Sequence, residues 1–168
     1  MLSVERLREL LSYDPETGKF VWLVKRNNRT PAGLAAGCDR GDGYFRIKVD
    51  DRRYPSHWLA WFYVHGQWPK EFLDHINGNP SDNRLVNLRE ATRAQNAQNV
   101  GVKANNKCGH RGVSWNKPAR KWIAHIRLNG KSKHLGCFDC VEEAAAAYKT
   151  AAAEMFGEYS FHLSRKLG

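Results

Sequence analysis

From Leu73 to Asn96 the chain reads Leu-Asp-His-Ile-Asn-Gly-Asn-Pro-Ser-Asp-Asn-Arg-Leu-Val-Asn-Leu-Arg-Glu-Ala-Thr-Arg-Ala-Gln-Asn. These residue types suit hydrolysis of a phosphodiester. A histidine near its ordinary pKa takes a proton from water at neutral pH. A carboxylate and an amide oxygen are hard ligands for magnesium or manganese, which stabilise charge on a leaving oxygen. An asparagine can hold an imidazole in the tautomer whose other nitrogen accepts the proton. The plainer reading is an Asn- and Asp-rich turn with an incidental histidine. For His75 taken alone, that plainer reading prevails.

The surrounding pattern supplies the elements that must position these groups. Phe72 to Ile76 reads as a short strand, and Asn77 to Asn83 offers turn residues. Thr92-x-x-Gln95 is a capping box that opens a helix. The result is a compact ββα hairpin, with Asp74 and His75 ending its first strand and Asn96 one turn into its helix. Upstream, apolar residues at 2, 4, 7, 10 and 11 predict a helix over Leu2 to Leu11. Strands are expected at Phe20 to Val24 and Tyr44 to Val49, and a third around Arg53-Tyr54 after an Asp50-Asp51 turn. The Gly-rich basic stretch Asn27 to Gly43 shows little local structure. His57 to His65 reads as a buried helix stopped by Gly66 and Pro69.

Asp74-His75, Asp82-Asn83-Arg84, Asn87-Leu88-Arg89, Thr92 and Gln95-Asn96 resemble the HNH (ββα-metal) endonucleases of bacteriophages. Intron-encoded homing enzymes and free-standing types are the nearest in pattern. The resemblance runs over roughly residues 1–100 and includes the Tyr13-to-Gly18 segment. It implies that His75 is the general base, that Asn87 orients it, and that Asp74 and Asn96 ligate one divalent metal, Mg2+ or Mn2+. Asn96 stands where the last histidine of the HNH name would be, and its amide still offers an oxygen. The zinc-binding cysteine pairs of some HNH enzymes are absent from the sequence. His57 enters an apolar helix, where a histidine is more often packed than catalytic. His65, His110 and His162 carry no signal above surface residues.

The charge is uneven. Of a net +10, residues 1–100 contribute +3 (15 basic, 12 acidic) and residues 101–168 contribute +7 (12 basic, 5 acidic). Basic residues at 103, 107, 111, 117, 120, 121, 127, 131 and 133 precede the first carboxylate of this part, Asp139. A one-sign segment of this kind attracts a polyanion through counterion release. Gln98 to His110 reads as a linker by composition, and its Lys and Asn residues suit contact with a nucleic-acid backbone or minor groove. Strands follow at Gly112 to Trp115, Lys121 to Leu128 and Ser132 to Cys137, the last two joined by an Asn129-Gly130 hairpin signal. Val141 to Phe156 is an Ala-rich helix with Glu142 and Glu143 at its positive end. Trp122, Ala124, Ile126 and Leu128 should face that helix, leaving Lys121, Ile123, His125 and Arg127 outward. A sheet with one cationic face can enter a major groove.

Arg111-Gly-Val, Lys121 to Arg127, Leu135-Gly-Cys-Phe-Asp139 and Glu143 to Tyr148 resemble the ethylene-response-factor (APETALA) DNA-binding domain. That resemblance implies major-groove contact through Arg111, Ser114, Lys121, His125, Arg127, Ser132 and His134, with Lys117 in the adjoining turn. Plant members often carry arginine, glutamate or tryptophan at the positions of Ser114, His125, Ser132 and His134. The docking mode is therefore expected to carry over, and the target sequence is not.

The expected class is α+β: a ββα-metal HNH module preceded by a small β-rich region, plus a three-stranded antiparallel sheet packed on one helix. Domains are expected at 1–100 and 111–168 with a linker at 101–110. The chain reads as a metal-dependent, homing-type endonuclease acting on double-stranded DNA as a monomer or homodimer. The rivals are a DNA-binding regulator with a silent nuclease-like module and, more distantly, an RNA-directed nuclease. Four scattered cysteines make no disulfide scaffold, and Cys137-x-x-Cys140 lacks the further ligands of a zinc site, so no structural zinc is expected. The most apolar run, Trp58 to Val64, falls far short of the roughly 20 residues of a membrane span. The N-terminus lacks a cleavage pattern. A cytoplasmic location fits, in the host cell if the gene is a phage's.

Overall fold

The computed structural model describes residues 1–102 and 106–164. Lys103, in the expected linker, and residues 165–168 lie outside the described residues. The chain divides into two units, Met1–Thr92 and Arg93–Gly168.

In the first unit, helix α1 (Val4–Leu10) starts at Ser3, whose hydroxyl accepts from the Arg6 amide at 3.2 Å. It is shorter than expected because Leu11 enters strand β1 (Leu11–Asp14), where it pairs with Trp22 of β2 (Lys19–Trp22). The helical period of Leu7, Leu10 and Leu11 thus conceals a change of element. The stretch expected to be featureless contributes two short strands, β3 (Ala35–Ala36) and β4 (Cys38–Asp39). Strand β3 completes the first antiparallel sheet, in the order β1-β2-β3. Strand β4 begins a second sheet with β5 (Phe45–Val49) and β6 (Arg52–Pro55). The β5–β6 turn places Asp50 and Asp51 at φ 42° and 62°, left-handed values that Asp tolerates better than most residues.

Helix α2 (Ser56–His65) follows and ends at Gly66, whose φ of 70° no β-branched residue would adopt cheaply. Leu7, Leu11, Ile47, Val49 and Leu59 are fully buried and bind α1, α2 and both sheets into one core. Strand β7 (Phe72–His75) pairs antiparallel with β8 (Leu88–Ala91) across a loop that closes with a 3-10 turn at Leu85–Asn87.

The second unit opens with helix α3 (Arg93–Asn99), directly after Thr92. Strands β9 (Val113–Asn116), β10 (Lys121–Leu128) and β11 (Lys131–Phe138) form an antiparallel sheet in the order β11-β10-β9. Asn129 and Gly130 take φ 50° and 79°, the hairpin geometry expected of that pair. The sheet packs on helix α4 (Val141–Phe156), and a short helix α5 (Phe161–Ser164) follows. Ala124 and Ile126 share a core with Ala144, Ala145, Tyr148, Ala151 and Ala152, and the four alanines let the helix come close to the sheet beside the Tyr148 ring. Gly112 is required by the same closeness. At φ 69°, an added Cβ there would lie 2.2 Å from the Tyr148 ring. The α+β architecture is the one the sequence implies, with a three-stranded sheet on one helix. Among the described residues, no helix is long and apolar enough to cross a membrane.

Candidate active site

The β7–β8 ladder puts Asp74 opposite Arg89 and His75 opposite Leu88. Asp74 is 4% and His75 5% exposed, unusually deep for such groups. The buried carboxylate has a cation beside it. Arg89 donates to Asp74 Oδ2 twice, from Nε at 3.0 Å and Nη2 at 2.8 Å. An unpaired carboxylate at this depth would be strongly unfavourable.

The loop after His75 is tied together by its own amides. The Asn77 backbone donates to Asn87 Oδ1 at 2.9 Å, and Asn87 Nδ2 donates to the Asp82 carbonyl at 2.8 Å. The Ile76 amide donates to the Asn87 carbonyl at 2.8 Å. Asp82 receives Asn77 Nδ2 at 2.7 Å and both Nε and Nη2 of Arg84 at 2.8 and 2.6 Å. The Arg84 hydrogen bonds, more than any other cause, hold the Asp82 carboxyl down at about 2.

This closed loop delivers Asn83, 4% exposed, to the base. Asn83 Oδ1 lies 3.1 Å from His75 Nε2. An amide oxygen only accepts, so Nε2 carries the hydrogen and Nδ1 keeps the lone pair. Burial pushes the His75 pKa below its ordinary value, against the raising influences of the Asn83 bond, Asp74 and Asp82. The ring is therefore neutral at pH 7 and in proton-accepting form. Two more rings approach it: His57 with centroids 4.9 Å apart and Tyr44 at 5.7 Å.

The expected residues are thus distributed as follows. Asp74, His75 and Asn87 lie together in the first unit. Asn87 meets the loop backbone, and the asparagine that touches the imidazole is Asn83. Asn96 is half-buried on α3, in the second unit. Ser114, Lys117, His125, Arg127, Ser132 and His134 are exposed on the sheet or its turns. The register pairs His125 with His134 and Arg127 with Ser132 across β10 and β11, grouping them on one face. Lys121 is half-buried and reaches Asp139 at 3.2 Å. Arg111 is placed differently. Its guanidinium donates to the carbonyls of Ala97 at 2.8 Å, Gln98 at 2.7 Å and Val100, at the carboxyl end of α3. Sequence reasoning singled out neither Asn83 nor Arg89. Asn83 stands in the quoted Asp82-Asn83-Arg84 and Arg89 in Asn87-Leu88-Arg89, while the pairing of Arg89 with Asp74 needs the strand register to be recognised.

Among the described residues, no group of three or more His, Cys, Asp or Glu is arranged to hold a metal. The Cys140 sulfur accepts from the Glu143 amide as the cap of α4, and Cys137 lies 3.8 Å from His134 Nε2. A magnesium-type ion needs no such cluster. It binds through one or two protein oxygens and keeps water and phosphate as its other ligands. The chemistry of one carboxylate and an amide fits that requirement.

A family model described as HNH endonuclease matches residues 54–98, and an AP2 domain model matches residues 108–158. Protein 3.8 of Escherichia phage T7 is 32% identical over 105 residues, covering 62% of this chain and 86% of that protein. The chain belongs to the HNH endonuclease family. This HNH endonuclease is a DNA-cleaving hydrolase with a DNA-binding AP2 domain on its C-terminal side. An uncharacterized HNH endonuclease of Acanthamoeba polyphaga mimivirus is 34% identical over 98 residues, 58% of this chain. The HNH chain described here spans 50% of the length of that viral relative. No solved structure matches it.

Proposed function

We propose that the protein is a divalent-metal-dependent endonuclease of the phage homing type, cutting double-stranded DNA in the host cytoplasm with His75 as general base. One observation carries the reading: a buried imidazole whose Nε2 lies against Asn83 Oδ1, in the residue next to a buried carboxylate. His75 Nδ1 takes a proton from water as the water oxygen bonds to phosphorus and the P–O bond to the leaving oxygen breaks. Asn83 keeps the accepting nitrogen on the correct side of the ring. Asn87 acts one step back, bracing the loop that presents Asn83. Asp74 and Asn96 are the residues that would hold the metal, and Arg89 holds the Asp74 carboxylate in place through its two hydrogen bonds. When bound, Mg2+ or Mn2+ supplies positive charge to the leaving oxygen.

The division of labour follows the charge. Residues 1–100 form the nuclease domain, 101–110 the linker and 111–168 the targeting domain. Ser114, Lys117, Lys121, His125, Arg127, Ser132 and His134 offer the sheet's contacts to a major groove. One base and one metal cut one strand at a time, so a monomer nicks and a homodimer is needed for a concerted double-strand cut.

Supercoiled plasmid with magnesium is the direct test. Wild type converts it to the nicked form, and His75→Ala does not while still binding duplex. Binding without cleavage by wild type, across several divalent metals, would establish the silent regulator instead.

A further inference from the structure

Tyr44 stands immediately before β5, at the end of the turn from β4, and the chemistry above makes no use of it. That turn is seated on the catalytic loop. Ser81 Oγ donates to the Gly43 carbonyl at 2.8 Å, and a Cβ added to Gly43, at φ 82°, would stand 2.8 Å from Pro80 Cγ. Within the turn, the Arg40 amide donates to the Tyr44 carbonyl at 3.0 Å and the Tyr44 amide to Asp42 Oδ1 at 3.2 Å. The side chain fixed in this way meets both histidines of the site. Its ring centroid lies 5.7 Å from that of His75, at 68° between planes, and 5.6 Å from that of His57, at 54°.

Packing accounts for the ring and leaves the hydroxyl unexplained. Tyr44 is half-buried, and among the described residues its phenol oxygen has no hydrogen-bond partner. Tyrosines that bury their rings usually find one. A phenylalanine would make the same ring contacts without an idle hydroxyl. Burial first, then the charges of Asp42 and Asp74, push the phenol pKa above its ordinary value, so the group keeps its proton at every working pH. The guanidinium groups around the loop are committed to carboxylates: Arg89 to Asp74 at 2.8 Å, Arg84 to Asp82 at 2.6 Å and Arg40 to Asp42 at 3.2 Å. Arg40 also lies over the Tyr44 ring, 5.9 Å from its centroid, and adds to the hold on it.

We infer that Tyr44 is a further catalytic residue: its hydroxyl donates a hydrogen bond to a non-bridging oxygen of the scissile phosphate. The inference rests on the reading of His75 as the base. Water activated at His75 attacks a phosphorus close to the imidazole, so the phosphate oxygens gather in the space that the phenol borders. As the water oxygen adds, negative charge grows on those oxygens, and a donor fixed beforehand is worth most at that moment. The phenol gives up no proton and forms no covalent bond. Being neutral, it stabilises the charge without repelling the metal that Asp74 would hold.

The test uses the full chain, magnesium and a defined duplex whose cut position is mapped with wild type. The scissile phosphate then carries sulfur in place of one or the other non-bridging oxygen. Tyr44→Phe keeps the ring and should melt with wild type, since the hydroxyl has no bond within the fold to lose. Its kcat should fall roughly 10- to 100-fold, the range for one hydrogen bond to a charged group. KM should stay within about twofold, because the bond tightens only in the transition state. Sulfur accepts a hydrogen bond poorly. One of the two sulfur substitutions should therefore slow wild type more than it slows Tyr44→Phe, the two losses overlapping instead of multiplying. Wild-type kcat in Tyr44→Phe overturns the inference. So does a variant that both sulfur substitutions slow as much as they slow wild type, the result of a merely structural hydroxyl. If Tyr44→Phe does not fold, Tyr44→Leu takes its place and the same comparison decides. His75→Ala runs alongside on the unmodified duplex. Retained nicking there removes the general-base reading by itself, whereas the sulfur comparison speaks only to Tyr44.

Discussion

The Tyr13 hydroxyl donates to the backbone carbonyl of Asn83 at 2.8 Å, across 70 positions of sequence. The core of the nuclease unit thereby grips the residue whose side chain grips the base. Gly18, in the turn after Tyr13's strand, lies so near that an added Cβ would stand 2.4 Å from the Arg84 amide. Burial raises the Tyr13 pKa to about 12, so the hydroxyl remains a donor at every working pH. Tyr13→Phe leaves that carbonyl without its donor and should cost about 1–3 kcal/mol of stability. Single-turnover cleavage should slow severalfold while DNA affinity holds. Unaltered denaturation and cleavage rate would break the link between core and base.

The two asparagines should separate cleanly. Asn83→Ala removes the partner of His75 Nε2 and should lower kcat by roughly a hundredfold, the size of effect expected when a catalytic group loses its orientation. Asn87→Ala removes two bonds to the loop backbone and should lower stability by about 2 kcal/mol, at roughly 1 kcal/mol per bond. Melting temperature and kcat, measured on both variants, decide it. The reverse pattern would return the orienting role to Asn87.

Arg89→Leu takes the cation away from a buried carboxylate. Breaking a buried pair from one side costs about 3–5 kcal/mol, so the variant should melt well below wild type. Added magnesium binds the folded form and should recover more stability in this variant than in wild type. Equal magnesium-induced shifts in both proteins would argue that Asp74 is not a ligand.

Acid should unfold the nuclease unit earlier than its carboxylates alone require. His57 titrates at about 3 in the fold, against 6.5 for the unperturbed group. Between those values the unfolded chain holds the additional proton, so stability is complete above pH 6.5 and declines as pH falls. At about 1.36 kcal/mol per pKa unit the full loss approaches roughly 5 kcal/mol. Asp82, depressed to about 2 from 3.8, contributes fully above 3.8 and loses its share only below that, outside the pH 4–6.5 window. Burial of His75 acts in the same direction as His57, so the comparison must be between proteins. Urea midpoints from pH 7 to 4 should fall less steeply for His57→Phe than for wild type. Parallel slopes would contradict a buried neutral His57.

On the AP2 side, salt dependence should distinguish contact from support. Lys117→Ala or Arg127→Ala should reduce the slope of log affinity against log salt by about 1 each, as expected when one phosphate contact is lost. Arg111→Ala should leave that slope nearly intact and instead loosen α3, whose terminal carbonyls lose their donors. Hydrogen exchange on residues 97–100 reads the second effect. A slope change for Arg111→Ala with no gain in exchange would make it a DNA contact after all.

Much of this was legible in residue order, and the exceptions share a cause. Asn129-Gly130, the alanine face of α4 and the β7–β8 hairpin follow from local chemistry, and each appears where its residues predict. Leu11 misled because a leucine continues a helical period and starts a strand equally well; its pairing with Trp22 decides the matter. Strands β3 and β4 are two residues each and exist only through their partners, so Ala35-Ala36 and Cys38-Asp39 carry no signal of their own. At the site, residue types identified Asp74 and His75. The partners Asn83 and Arg89 are matters of register and loop closure, which spacing in one chain does not encode.

Arg111 joins α3 to the AP2 sheet, yet the HNH family match at 54–98 counts most of that helix as nuclease. By sequence ancestry the helix belongs to one module, and by hydrogen bonding it belongs to the other. A recombination junction ahead of Arg93 would divide the HNH motif, and one after residue 100 would strip the helix of its guanidinium cap. The two modules overlap by one helix. Gene shuffling that moves either of them intact must therefore carry this helix along with it.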